Sequence, residues 1–263
     1  MKRISRRVWR EWTSWRVKRL VEAEKSMRLT RLGTAHGGWV VPDEVLTSGE
    51  TAVCVGAGED ISFDVELNKR GLRVVTLDPT PRAKEHIEEV LDAAETGRAV
   101  AINRSEEYYD LRGFQRERFR FVDIGLWSEE KNMRFFAPKD PTHVSHSIVN
   151  LQGTEDYFEA RCMPLRTLLE QLKLQRVRLV KMDIEGAEYE VLKNLAEEGP
   201  RPEVLCVEFD EIRNPADEGH LERIKGTVAL LKRAGYRFCH LEQSNALFIL
   251  TDYEKHLQPS FKN

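Results

Sequence analysis

The chain has 263 residues, 41% of them hydrophobic and 32% charged, with a formal net charge of −3 and four cysteines. A chain of this length and composition is a soluble globular protein that buries a sizeable core, neither disordered nor membrane-embedded, and no apolar run reaches the roughly 20 residues of a spanning helix. Cys54, Cys162, Cys206 and Cys239 are scattered without a CxxC pair, which points to buried thiols in a reduced cytoplasmic chain and away from metal–thiolate chemistry.

Charge is unevenly spread. Residues 1–31 carry eleven Lys/Arg against Glu11, Glu22 and Glu24, a net +8, so the remainder carries −11. An acidic body argues against a nucleic-acid-binding face. The first stretch, "MKRISRRVWREWTSWRVKRL", lacks the apolar region of a secretion signal. Its Val8, Trp12 and Trp15 fall at helical spacing beside Trp9, a stripe flanked by arginines. Residues 1–35 are therefore expected to form a basic, Trp-rich helical arm. It either packs on the domain or across a dimer, or lies through residues 1–30 on a partner or the inner membrane face. The remainder, 36–263, is read as one domain.

After a Gly-punctuated approach, "TAVCVG" (51–56) reads as a buried strand. Residues 59–70 read as a helix stopped by Gly71, and "RVVTLDP" (73–79) as a second strand. A helix over 83–97, a strand over 118–127 and short strands or loop at 132–138 and 146–151 follow. Then come a short helix over 165–174, a strand over 177–186, a helix over 187–199 stopped by Gly199-Pro200, and a strand over 203–210. A helix over 220–235 precedes two strands that meet at Gln243-Ser244-Asn245, a hairpin signal. Strands alternating with helices predict a parallel α/β sheet covered on both faces, with an antiparallel strand added by the last hairpin.

Three stretches carry candidate chemistry. In "VGAGED", Gly56 and Gly58 permit a tight turn, and Asp78 ends the next strand 22 residues after Gly56, placed to hold two ribose hydroxyls. That spacing suits NAD or S-adenosylmethionine. Ile61 stands where a dinucleotide fingerprint needs its third glycine, and the acidic Glu59 and Asp60 suit a ligand with a cationic end better than a pyrophosphate. In "KMDIEG", Lys181, Asp183 and Glu185 alternate, as do Glu208 and Asp210 in "VEFD". Neighbouring strands would bring these groups together at the carboxyl edge, where open α/β sheets bind ligands. The competing structural reading is a salt-bridge network around Lys181. "PTHVSHSIVN" offers His143 and His146 as general bases or as solvated loop histidines, with Ser145 and Ser147 between and after them.

Taken together, "VCVGAGEDISFD", "VVTLDPTP", "FVDIGLWSEE", "HVSHSIVNL", "VKMDIEGAEYEVLKNL" and "LCVEFD" resemble the FkbM family of class I S-adenosylmethionine-dependent methyltransferases, from about Gly37 to Leu250. The resemblance implies a Rossmann-like seven-stranded sheet in the order 3-2-1-4-5-7-6 and O-methylation of a hydroxyl on a sugar, glycan or secondary metabolite. It implies cofactor binding by Gly56, Ala57, Gly58, Glu59, Asp60, Asp78 and Pro79, with Gly125 and Leu126 bordering the adenine and Asp183 at the methionine end. Cys54 stands where many such enzymes carry an acid, so Glu59, Asp60 or Asp183 is expected to hold the cofactor ammonium. Asp183, Glu185, His143, His146 and Glu208 are the expected catalytic set. Mg²⁺ bridging the carboxylates suits oxygen-rich ligands but is not required. A nicotinamide-dependent oxidoreductase and a non-catalytic protein that docks through its arm are the alternatives.

Overall fold

A computed structural model describes residues 6–22, 27–137 and 154–252. A basic helix, α1 (Arg6–Lys18), leads into an antiparallel hairpin of β1 (Leu29–Leu32) and β2 (Trp39–Pro42). Residue 35, the expected boundary of the arm, falls in the turn of that hairpin. The body runs β3 (Thr51–Val55), α2 (Ser62–Lys69), β4 (Arg73–Leu77), α3 (Pro81–Thr96), β5 (Phe119–Val122), β6 (Gly125–Leu126), β7 (Lys131–Phe136), β8 (Tyr157–Met163) and α4 (Leu165–Gln171). It closes with β9 (Leu179–Met182), α5 (Glu188–Glu197), β10 (Val204–Glu208), α6 (His220–Arg233), β11 (Tyr236–Glu242) and β12 (Asn245–Leu250).

The main sheet has the order β11-β12-β10-β9-β3-β4-β5, the order that the resemblance implies. Pairings from β10 through β5 are parallel, and β12 enters antiparallel between β10 and β11. The central strands are continuous apolar runs because helices cover both faces: all five residues of β3 and all four of β9 are buried. Local chemistry sets the helix ends. Thr80 caps α3 by accepting from the Ala83 N–H, Pro81 occupies its first turn, and Gly97 ends it in the left-handed region.

Three expectations change. The predicted strand over 118–127 breaks after Val122, and β6 joins a separate three-stranded sheet in the order β6-β8-β7. β8 and the β1–β2 hairpin have no counterpart in the sequence reading. Along β8 only the last two residues, Cys162 and Met163, are buried, so its sequence shows no apolar alternation to mark it as a strand. Finally, α1 buries a different stripe from the predicted one: Thr13 and Val17 are buried, whereas Trp12 and Trp15 are 42% and 51% exposed. The neighbouring surface decides this. Thr13 Oγ1 meets His220 Nε2 at 3.2 Å, Trp9 packs on the His220 ring, and Arg10 Nε donates to the Arg213 carbonyl at 2.7 Å. The arm thus packs on α6 and on the short 3₁₀ turn Asp210–Ile212. No helix among the described residues is long and apolar enough to cross a membrane.

Candidate active site

The carboxyl ends of β3, β4 and β9 surround a cavity of about 300 Å³, at the lower end of small-ligand sites. Gly56, Ala57, Gly58, Glu59, Asp60, Asp78, Pro79, Gly125, Leu126, Asp183 and Glu185 all line it. The sequence missed His36, Gly37 and Asn103 on the same wall; His36 and Gly37 are signalled only by the glycine pair of "AHGG", and Asn103 by nothing in its surroundings.

Gly56 is fixed by close packing. At φ +81° a Cβ there would stand 1.7 Å from the Asp183 carbonyl oxygen, so only glycine lets the ends of β3 and β9 meet. Asp78 organises the turn: Ala57 and Gly58 N–H groups donate to one of its oxygens at 2.8 and 3.0 Å, and Thr80 N–H and Oγ1 to the other at 2.8 and 2.6 Å. Glu59 is buried between Arg82 and Arg104, with both N–O distances 3.0 Å. Asp60 accepts from Thr34 Oγ1 at 2.6 Å and from the Gly37 and Ser62 N–H groups at 3.1 and 3.0 Å, tying the β1–β2 hairpin to the turn. Neither arginine was identified in the sequence, because nothing local pairs them with Glu59.

On the other wall, strict alternation stops one residue before Asp183. β9 ends at Met182, and Asp183–Gly186 form a turn in which Glu185 and Gly186 both have positive φ, +55° and +96°. A glutamate held in the left-handed region is strained, and such strain concentrates at functional sites. The Glu188 carboxylate closes the turn by accepting from the Ile184 and Gly186 N–H groups at 2.7 and 2.8 Å; its burial pushes its pKa up to about 7, against the lowering effect of the Ile184 bond. Asp183 and Glu208 hydrogen-bond to each other, and so do Glu185 and Asp210. Burial first, and then these facing carboxylates, raise the Glu208 and Asp210 pKa values far above the usual carboxylate range. Ser244 Oγ donates to Glu208 at 2.7 Å. Two pairs of facing carboxyls therefore meet at this edge, and Glu208 and Asp210 are the members pushed toward the neutral form.

Lys181 points beneath the turn. Its Nζ donates to the Val55 carbonyl at 3.2 Å and to the Gly56 carbonyl, and lies 3.9 Å from Asp183. Burial pulls its pKa down, but Asp183, Asp64 and Cys54 outweigh that effect and the net direction is up. The salt-bridge reading of "KMDIEG" thus holds for Lys181 itself, whereas the acids pair chiefly with one another. Cys54 is buried in register with Lys181; burial, then the nearby Asp64, push its thiol pKa up, so it serves as a neutral packing residue. His143 and His146 lie outside the described residues, as does the predicted short strand over 146–151.

The fold and the cavity at its carboxyl edge define a Rossmann-like methyltransferase. The chain matches the Methyltransferase FkbM domain over residues 54–238, and it belongs to that family. A search of curated proteins finds no match. Among solved structures, fibrillarin pre-rRNA processing protein from Methanococcus jannaschii aligns at 11% identity over 88% of this chain and 86% of its own, with a TM-score of 0.40. A TehB-like SAM-dependent methyltransferase from Corynebacterium glutamicum aligns at 12% identity over 79% and 84%, with a TM-score of 0.36. Aeropyrum pernix fibrillarin, solved with natively bound S-adenosyl-L-methionine, aligns at 10% identity over 87% and 85%, with a TM-score of 0.37. Likeness at this level carries no weight for activity.

S-adenosylmethionine is the cofactor, and the donor set fits it. The lining includes backbone and carboxylate groups around Asp78, apolar Leu77 and Leu126, and the acids Asp183 and Glu185. Among the described residues, the lysine or arginine that lines the cavity is Lys181, which is committed to two backbone carbonyls. Among the described residues, no group of three or more His, Cys, Asp or Glu is arranged to hold a metal ion.

Proposed function

We propose that the protein methylates a hydroxyl oxygen of a small-molecule or glycan acceptor. The observation that carries this reading is the pair of facing carboxyls, Asp183–Glu208 and Glu185–Asp210, at the edge of the cofactor-sized cavity. An acceptor hydroxyl must lose a proton as it becomes an ether, and at this edge an ionised carboxylate, whose facing partner keeps its own proton, can take it up.

Bound S-adenosylmethionine supplies a methyl group already activated on a sulfonium centre. The remaining work is alignment and proton transfer, and alignment alone can lower a barrier by roughly 7–11 kcal/mol. Gly56, Ala57, Gly58, Asp78 and Pro79 would hold the ribose end, Gly125 and Leu126 would border the adenine, and Asp183 would face the ammonium. With Glu59 balanced by two arginines and Asp60 engaged by Thr34, Asp183, whose side chain is 35% exposed, is the better-placed acid for that cationic end. Glu185 would then receive the acceptor proton as the ionised member of its pair, with Asp210 keeping the proton it already holds.

Two measurements test this. Asp78→Ala should weaken S-adenosylmethionine binding by about 100-fold in calorimetry, since it removes four hydrogen bonds that shape the turn; unchanged affinity would sink the cofactor placement. Transfer of an isotope-labelled methyl group should yield an ether by mass spectrometry. A methylated nitrogen or carbon would rule out the oxygen assignment.

A further inference from the structure

A second cavity of about 920 Å³ opens beside the first, and Glu185 lines both. Its far wall is α1, through Trp9, Arg10 and Thr13, and its near wall includes Tyr189 and Asp210 at the carboxyl edge of the sheet. A methyl acceptor has to approach the proton-accepting edge from outside the cofactor cavity, and this space reaches that edge.

The lining indicates which chemistry fits. Five acidic side chains line the cavity against three arginines, and each arginine is already committed. Arg10 donates to the Arg213 carbonyl at 2.7 Å and to Asn214 Oδ1 at 3.2 Å, Arg213 donates to Gln243 Oε1, and Arg223 is held by Glu211 and Asp217. A phosphate or carboxylate acceptor would thus meet, among the described residues, more acids than arginines, and arginines already engaged by other partners. The indole of Trp9 and the Tyr189 ring supply aromatic surface, while carboxyl oxygens are spread around it as hydrogen-bond acceptors. That mixture suits a molecule with one apolar face and several hydroxyl donors.

We infer that the cavity between α1 and the sheet edge is the acceptor site, and that it takes a neutral, multiply hydroxylated ring whose apolar face lies against Trp9. The N-terminal helix is then a specificity element of the enzyme, held in place by its contacts to His220 and Arg213. This inference rests on the methyltransferase reading of the first cavity.

The test uses the full chain saturated with S-adenosylhomocysteine and saturation-transfer NMR, with methyl α-glucopyranoside and methyl α-mannopyranoside as neutral probes. Methyl glucuronoside and methyl glucosaminide serve as anionic and cationic counterparts. Saturation should reach the ring C–H protons of the neutral probes, fall at least five-fold in Trp9→Ala, and persist in Trp9→Phe, with S-adenosylhomocysteine affinity the same in all three proteins. Ala216→Phe, which adds bulk to the cavity lining, should also abolish the transfer and covers the case in which Trp9→Ala fails to fold. Equal signals in the wild type and both cavity variants, binding of the charged probes alone, or no binding by any probe would each overturn the inference. Failure of S-adenosylhomocysteine itself to bind the wild type would instead strike the methyltransferase reading.

Discussion

Two edges of one cavity handle carboxylates in opposite ways. Around the β3 turn each acid is satisfied by donors: Glu59 by Arg82 and Arg104, Asp60 by Thr34 and backbone N–H groups, Asp78 by four hydrogen bonds. At the ends of β9 and β10, Asp183 faces Glu208 and Glu185 faces Asp210. The first arrangement fixes a shape, since a carboxylate that accepts several hydrogen bonds holds the groups that donate them. The second sets carboxyls against one another, which pushes Glu208 and Asp210 toward their neutral forms. Their separation places donor-satisfied acids on one wall and mutually facing acids on the other.

The sharpest way to break the contrast is to force the two walls apart. Gly56→Ala should destabilise the protein by about 4 kcal/mol in urea denaturation, because the added methyl would overlap the Asp183 carbonyl and the backbone has a left-handed φ. A stable Ala variant would mean that the β3–β9 contact is looser than described. Next in size is Lys181→Met, which removes the Gly56 carbonyl's side-chain donor and one of the two donors to the Val55 carbonyl, and leaves Asp64 without its nearby cation. A loss of about 3 kcal/mol is expected, measured as a lowered denaturation midpoint with the slope unchanged.

The acid–acid edge should reveal itself through pH. Glu208, Asp210 and Glu188 have folded pKa values raised above those of the unfolded chain. Each therefore stabilises the fold fully below its unfolded pKa, near 4, and loses that contribution as pH rises toward and through the folded pKa. Glu188, at about 7, completes its loss near neutrality. Melting temperature should consequently fall from pH 5 to pH 8, and Glu208→Gln, which keeps an acceptor for Ser244, should flatten that fall. A profile rising over the same range would contradict the raised carboxyl pKa values. The smallest effect belongs to the other wall: Glu59→Gln should cost about 1 kcal/mol, since the exposed Arg104 is screened by solvent, and should leave the slope from pH 5 to 8 unchanged.

Much of this site was legible in the chain. The two turn glycines, Asp78 after the second strand and the acidic ends of "KMDIEG" and "VEFD" all reach the same cavity or its rim, because strand ends in a parallel sheet converge at one edge. Partnerships between distant residues were not legible. Arg82 and Arg104 lie 23 and 45 residues from Glu59, and no local pattern joins them. Alternation placed Glu185 on a strand face, whereas β9 ends before it and a left-handed turn sets its direction. For α1, periodicity identified a helix with an apolar stripe but not which of its residues meet the body, because tryptophans at helical spacing do not specify the surface that receives them.

By itself the sequence determined the alternation of strands and helices, the order of the main sheet through its family motifs, and the convergence of glycines and acids at one edge; each follows from local periodicity and chain direction. Tertiary structure alone decided which acids bind arginines and which face one another. It also decided that Trp9, Thr13 and Val17, rather than Trp12 and Trp15, meet the body. Charge state and burial depend on what lies across a gap of a few ångströms, and that neighbour comes from another part of the chain.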